Sequence, residues 1–303
     1  MGKIAFVFPG QGAQHSGMGK ELCEASNAAA EIFRLADSLR PGTSEQCFNG
    51  DEESLKQTKV TQPCLFAVEL AAAAALTEAG VKADMAAGFS LGEVAALTFT
   101  GTVDFSTGFS LVCKRGELMQ DAAEKVETSM AAVVRLDNAT VEEIAAKFEG
   151  VYPVNYNCPG QVSVAGLAES MTAFSAAVKE AGGRAIPLKV SGGFHSPFMA
   201  EAAEQFGAIL ENVNFNAPNM PLYSNFTGKP YDDDPAELLS KQVCNPVRWE
   251  DSVRHMIANG VDTFIELGPG QVLGGLIAKI DKSVRCLSVA DNESLEKTLA
   301  EVK

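Results

Sequence analysis

Apolar and polar positions along the chain alternate between two rhythms. Ile4-Ala5-Phe6-Val7-Phe8 is a short continuous apolar run that ends at Pro9-Gly10, which predicts a first buried strand. An alanine-rich helix is expected around Val68 to Leu76, and Val81 to Ala87 supplies a second short buried strand. Glu93-Val94-Ala95-Ala96-Leu97 reads as the first turns of a helix. A further helix after Gly108 carries Leu111, Val112, Arg115 and Met119, with Arg115 and Met119 four residues apart on one face. From about Ser129 the rhythm changes. Met130 to Leu136 is strand-like and Thr140 to Phe148 helical; Val151 to Tyr156 and Val162 to Ala165 are strands joined by a Cys-Pro-Gly turn. Ser170 to Ala181 is helical and Ala185 to Val190 a strand, completing the order βαββαβ of a ferredoxin-like unit. Helix Pro197 to Leu210, strands Leu222 to Ser224 and Thr263 to Leu267, and a closing helix from Glu293 follow.

Gly88-Phe89-Ser90-Leu91-Gly92 stands where the second strand gives way to a helix. A serine between two such glycines fits a nucleophile elbow, because the glycines allow a sharp turn and leave the serine at its apex. The first amides of the helix, Leu91's among them, point at the space where an oxyanion would form. A Gly-Ser turn without chemistry satisfies the same run. The predicted fold class is α/β: a hydrolase-like core with a mostly parallel sheet, formed by residues 1–126 and 192–303, and an inserted, smaller ferredoxin-like βαββαβ domain at 127–191.

Only three histidines are available as a base for this serine. His255 lies in the helical stretch Trp249 to Ile257, as a surface or groove residue. His15 sits in the loop after the first strand. His195 follows Ser191-Gly192-Gly193-Phe194 and precedes Ser196-Pro197, a loop that delivers one imidazole to a strand-to-helix junction, and it is the favoured base. A histidine that merely caps the helix starting near Ser196 is the alternative.

The chain resembles the malonyl-CoA:acyl-carrier-protein transacylases of fatty-acid and polyketide synthesis. The matching pieces are Phe8-Pro9-Gly10-Gln11-Gly12, Thr61-Gln62-Pro63, the run Gly88 to Glu93, Lys114-Arg115-Gly116, Asn157-Cys158-Pro159-Gly160-Gln161, His195, Gln242 ahead of Asn245-Pro246-Val247-Arg248-Trp249, and Glu266-Leu267-Gly268-Pro269-Gly270. They occur in order over nearly the whole chain. Two positions depart from the pattern: many relatives carry histidine where this chain has Phe89, and an aromatic residue is common where Cys244 stands.

The resemblance implies a ping-pong acyltransferase. Ser90 would attack malonyl-CoA with His195 as base, the amides of Gln11 and Leu91 would hold the oxyanion, and the phosphopantetheine thiol of an acyl-carrier protein would take the malonyl group from the serine. A main-chain carbonyl near Gln242 would orient the imidazole, since no aspartate is assignable as a third member. Arg115 would pair with the malonyl carboxylate, for which a guanidinium offers a planar two-bond partner; an arginine in a structural ion pair is the alternative. Gln62 and Met119 would line the pocket, and the bulk of Phe194 would disfavour branched acyl groups. No cofactor is implied beyond the two substrates.

Composition narrows the field. With 46% hydrophobic and 21% charged residues the chain can fill a large core. Its seven cysteines are scattered without a CxxC pair, which predicts free thiols in a reducing cytoplasm. Ile4 to Phe8 is too short for a signal peptide, and no segment is expected to span a membrane. A net charge of −15 excludes nucleic acid as a partner. It also means that docking an acidic carrier requires locally gathered cations, for which Lys179, Arg184, Lys189, Lys279, Lys282 and Arg285 are candidates. Gly10-Gln11-Gly12 is not a dinucleotide fingerprint, because His15 replaces the third glycine. No metal site is expected from the dispersed histidines, and a monomer is expected. The competing readings are a serine thioesterase or hydrolase, a discrete acyltransferase of a polyketide pathway, and a carrier-binding subunit without activity.

Overall fold

The computed structural model describes residues 2–302. Among the described residues nine strands form two sheets: β1 (Lys3–Phe8), β2 (Met85–Gly88), β3 (Thr128–Val134), β4 (Val151–Cys158), β5 (Gln161–Leu167), β6 (Arg184–Pro187), β7 (Leu222–Tyr223), β8 (Val261–Leu267) and β9 (Arg285–Val289). The larger sheet has the order β7-β2-β1-β8-β9 and is parallel throughout.

Alternation along β1 divides the core. Phe6 and Phe8 join Phe66 and Val112 from the helices Thr58–Glu78 and Phe105–Lys125. Ala5 and Val7 point the other way, toward Trp249 and Met256 of helix Trp249–Ala258 and Ile277 of helix Val272–Ile280. Burial on both faces explains why β1 reads as an uninterrupted apolar run. From β1 the chain goes to β2 on one side and β8 on the other, so the strand order reverses there. Crevices at the carboxyl ends of strands beside such a reversal are where open α/β sheets place their ligands.

The smaller sheet is antiparallel with the order β4-β5-β3-β6, the ferredoxin-like arrangement expected from the βαββαβ order. Helices Asn138–Ala145 and Ala168–Glu180 cover one face through Val141, Ile144, Phe174 and Val178. Met130, Val154 and Ala165 face the main body. Main-chain bonds between β4 and Val247 join this sheet to the segment that follows Gln242.

Three expectations need correction. The second strand starts at Met85, not Val81, because Gly80 and Val81 terminate the preceding helix. Gly80 adopts φ 92°, and the amides of Gly80 and Val81 return to the carbonyls of Thr77 and Leu76, a Schellman ending that occupies both residues. Helix Thr58–Glu78, expected only around Val68 to Leu76, is long and apolar enough to cross a membrane, yet 89% of its most apolar window is buried inside the protein. It is the central core helix. Finally, the structure adds β9 and the helices Lys20–Ala25, Asn27–Leu39, Thr43–Asn49, Glu52–Lys56, Pro235–Cys244 and Val272–Ile280.

Candidate active site

Ser90 sits between β2 and helix Leu91–Phe99 with φ 57° and ψ −110°, a conformation non-glycine residues rarely adopt. The turn is tight enough to exclude side chains beside it. A β-carbon on Gly88 would lie 1.9 Å from the carbonyl carbon of Gly92, and one on Gly92 would lie 2.1 Å from the Phe8 oxygen. Side chains from distant elements hold the turn: the Ser90 amide donates to Asn225 Oδ1 at 2.7 Å, and Gln242 Nε2 donates to the Ser90 carbonyl at 2.7 Å.

His195 is delivered by the loop after β6, also in a left-handed conformation (φ 59°). Thr128 Oγ1 accepts from the Gly193 amide, and the Ser196 hydroxyl donates to the Gly193 carbonyl, which pins the loop on both sides of the imidazole. His195 Nε2 lies 2.7 Å from Ser90 Oγ and Nδ1 lies 2.8 Å from the Gln242 main-chain oxygen. A carbonyl only accepts, so Nδ1 carries the proton and Nε2 is left to accept from the serine hydroxyl. Burial, with the neighbouring Arg115 charge, lowers the imidazole pKa to about 3. It is therefore neutral in the neutral pH range, as a proton acceptor must be.

Arg115 is buried, and its hydrogen bonds go to neutral groups. Nη1 donates to Gln62 Oε1 at 2.9 Å, while Nη2 donates to Gln242 Oε1 at 2.8 Å and to Ser90 Oγ at 3.2 Å. Burial lowers its pKa to about 10, so the cation persists at neutral pH. Gln62 Nε2 turns away toward Gln11 Oε1 at 3.3 Å and Met119 Sδ at 3.5 Å. Each glutamine thus presents its carbonyl end to the guanidinium, leaving a fixed cation beside the serine with no carboxylate bonded to it.

Gln11 follows β1, and the Phe89 amide donates to the Phe8 carbonyl, so the loops after β1 and β2 lie side by side. Among the described residues neither the Gln11 nor the Leu91 amide has a hydrogen-bond acceptor. Phe89 packs edge-on against Trp249, with ring centroids 5.7 Å apart. A cavity of about 250 Å³ opens beside these loops, lined by Gln11, Phe89, Asn155, Asn157, Ser163 and Leu188. A larger one of about 480 Å³ beside Glu266 and Arg285 contains no histidine and lies apart from this chemistry.

All nine residues singled out from sequence are placed by the structure. Ser90, His195, Arg115, Gln62, Met119, Gln11 and Gln242 form one connected set, Leu91 presents its amide beside it, and Phe194 is buried next to the imidazole in sequence. His15 is exposed with Nδ1 on the Ser16 carbonyl, and His255 Nδ1 is held by the Tyr223 hydroxyl at 2.9 Å. Three members of the network went unread. Glu93 and Asn225 are buried and Tyr231 is half-buried, and Glu93 receives Tyr231 O–H, Gln242 Nε2 and the Asn225 amide. The signal for Glu93 was a carboxylate in the otherwise apolar run Leu91 to Leu97; Asn225 and Tyr231 carry none.

The fold and site define an α/β protein with a serine–histidine pair on a strand-turn-helix elbow and a buried cation beside it. Residues 5–294 match the acyl transferase domain model, and the chain belongs to that family. The resemblance read from its motifs is borne out. The malonyl CoA-acyl carrier protein transacylase of Bacillus subtilis (strain 168) is 40% identical, over 100% of this chain and 98% of that protein. The crystal structure of malonyl CoA-acyl carrier protein transacylase from Clostridium perfringens ATCC 13124 superposes with a TM-score of 0.96 at 40% identity, covering 99% of this chain and 97% of that one. A malonyl-transacylase solved in complex with its type II PKS acyl-carrier protein superposes with a TM-score of 0.93 at 35% identity, covering 99% of both chains.

Proposed function

We propose that this protein transfers the malonyl group from malonyl-CoA to the phosphopantetheine thiol of an acyl-carrier protein, supplying extender units for fatty-acid synthesis. Ser90 Oγ attacks the thioester carbonyl while its proton passes to His195 Nε2. The amides of Gln11 and Leu91 hold the oxyanion. Collapse expels the CoA sulfur, which takes the proton from His195, and leaves a malonyl-Ser90 ester. The carrier thiol then gives its proton to His195 and attacks the ester, restoring the serine hydroxyl.

The observation that carries this reading is that one serine oxygen lies 2.7 Å from a neutral imidazole and 3.2 Å from a buried guanidinium with no carboxylate bonded to it. The first contact makes a nucleophile, and the second awaits an acyl group with a carboxylate of its own. A simple acyl hydrolase has no use for the second. The main-chain oxygen of Gln242 takes the orienting role that an aspartate fills in a triad. The reading gives Phe194, buried and adjacent to His195 in sequence, the role of disfavouring branched acyl groups by its bulk. The reading further takes 127–191 as an inserted unit on the main domain, and the enzyme as a cytoplasmic monomer without cofactor or metal; the seven unpaired cysteines are in keeping with a reducing compartment.

The test is intact-protein mass spectrometry after mixing with malonyl-CoA. One malonyl group per chain is expected, located on Ser90, stable in buffer and discharged by added holo carrier. Free malonate without a lasting adduct would identify a hydrolase, and an unmodified chain would identify a binding module.

A further inference from the structure

Arg115 is balanced from a distance. The nearest anion in its network is Glu93, one residue removed: Glu93 Oε2 accepts from Gln242 Nε2 at 2.9 Å, and Gln242 Oε1 accepts from Arg115 Nη2 at 2.8 Å. The same Gln242 amide nitrogen donates to the Ser90 carbonyl. The carboxylate at one end and the guanidinium at the other therefore fix which way the glutamine points.

Glu93 faces Tyr231, Gln242 and Asn225 directly, and Arg115 across Gln242; Tyr231 and Arg115 are the titratable or charged members of that set. With His195 neutral, the empty pocket holds one buried cation and one buried anion. A malonyl carboxylate arriving at Arg115 brings a second anion into the same enclosed network, where two anions sharing one cation are costly.

We propose that Glu93 is a positioning residue for the malonyl-selective pocket, an ionised counter-charge to Arg115 when the pocket is empty that takes up a proton from solvent when a malonyl carboxylate pairs with Arg115. The inference rests on the assignment of Arg115 to that carboxylate. Of the three hydrogen-bond partners of Glu93, the Gln242 and Asn225 nitrogens only donate, whereas the Tyr231 hydroxyl donates or accepts. The proton belongs on Oε1, facing Tyr231. Burial already raises the Glu93 pKa to about 7, against the pull of its hydrogen bonds and of Arg115, so the change of state falls in the working range. Uptake of a proton on binding makes malonyl binding weaken as pH rises above that value. Acetyl groups, having no carboxylate, require no uptake.

The experiment compares kcat/KM for malonyl-CoA and acetyl-CoA between pH 6 and 9 in the wild type and in Glu93→Gln. Taking the ratio of the two esters cancels every titration they share. In the wild type the malonyl-to-acetyl ratio is expected to fall roughly tenfold from pH 7 to 9. Glu93→Gln keeps an acceptor toward Gln242 and a donor toward Tyr231, mimics the protonated form, and is expected to show a flat ratio. Malonyl-CoA binding to Ser90→Ala, followed by calorimetry in buffers of different ionisation heat, should show proton uptake near pH 7.5 that disappears in Ser90→Ala/Glu93→Gln. A flat wild-type ratio, or a slope and uptake that persist in the glutamine variants, overturns the role of Glu93 while leaving the transferase reading intact. A wild type that does not prefer malonyl over acetyl at any pH overturns both. If Glu93→Gln fails to fold, the wild-type ratio and the uptake by Ser90→Ala still decide the matter.

Discussion

Among the described residues two clusters of charged groups are buried, one around Glu93 and Arg115 and one around Glu69 and Glu266, and they are built in opposite ways. Around Ser90 the side chains are closely partnered: both terminal nitrogens of Arg115, both oxygens of Glu93, both ends of Gln62 and Gln242 and both nitrogens of His195 are bonded, and among these side chains only Arg115 Nε is not. Beneath the turns at Pro9 and Gly268 lies the second cluster. Glu69 of the core helix is fully buried with neither oxygen bonded, and Glu266 of β8 has one oxygen on the Gly274 amide and the other unpartnered. Burial and the proximity of Glu266 raise the Glu69 pKa well above the carboxylate range. The first cluster holds a geometry, because a satisfied network in a low-dielectric interior resists rearrangement. The second carries a desolvation cost that at Glu69 has no bond to offset it. Buried charge alone therefore does not locate a site; the partnering around it does.

Breaking the first cluster at its centre is expected to have the largest effect. Ser90→Ala should abolish malonyl transfer and covalent labelling while the circular dichroism spectrum is unchanged; retained labelling would remove Ser90 from the role of nucleophile. His195→Ala should lower the transfer rate by about 10² to 10⁴, the usual loss on removing a general base. His255→Ala should leave the rate nearly intact, since that imidazole is bonded to Tyr223 elsewhere. Equal losses in the two variants would contradict the assignment.

Removing the second cluster should stabilise the protein. The folded state keeps Glu69 protonated above its unfolded range, so its contribution is intact at low pH and is lost as pH rises from the ordinary carboxylate pKa through the raised folded value. Glu69→Met, similar in size and without the charge, should raise unfolding free energy by about 1–3 kcal/mol at pH 8 and by less at pH 5. Urea denaturation at both pH values measures this, and a gain independent of pH would show that packing, not ionisation, is responsible. The smallest effect is expected at the surface. Charge reversal at Lys189 or Lys282 should raise the carrier KM by roughly two- to fivefold, leave that for malonyl-CoA unchanged and fade in salt. Equal effects on both substrates would exclude these lysines from docking. Arg285 is a weaker candidate, because it is partly buried with Nη1 on the Glu301 carbonyl and Nη2 on Thr263.

Much of this arrangement was legible in the chain. A continuous apolar run marked β1, strand-like apolar stretches marked the strands of the smaller sheet, and the glycines around Ser90 marked the elbow, because each feature is set by neighbours in sequence. Half-buried β9 was not legible, since Arg285 and Ser288 interrupt its apolar pattern. Helix Asn27–Leu39 is amphipathic, but two of its three buried residues are alanines, Ala29 and Ala36 beside Phe33. Arg115, Gln62 and Gln242 came from family motifs, but the alternation that makes the network work, with each glutamine carbonyl turned to the guanidinium, depends on contacts between residues 53 and 127 positions apart. Asn225 and Tyr231 reach the site over still longer separations and belong to no recognisable pattern.

The central claim is that this is a malonyl enzyme because Arg115 offers an uncommitted cation beside Ser90. It is tested most directly by kcat/KM for malonyl-CoA and acetyl-CoA in the wild type and Arg115→Ala, with folding checked by circular dichroism. The substitution leaves the serine, imidazole and oxyanion amides in place and removes a charge-assisted bond that only malonyl makes, a loss of about 1.5–3 kcal/mol. The malonyl value should fall by roughly ten- to over a hundredfold relative to the acetyl value, with acetyl transfer unchanged or improved. An equal fall for both esters would contradict the account and make Arg115 a structural residue of the elbow.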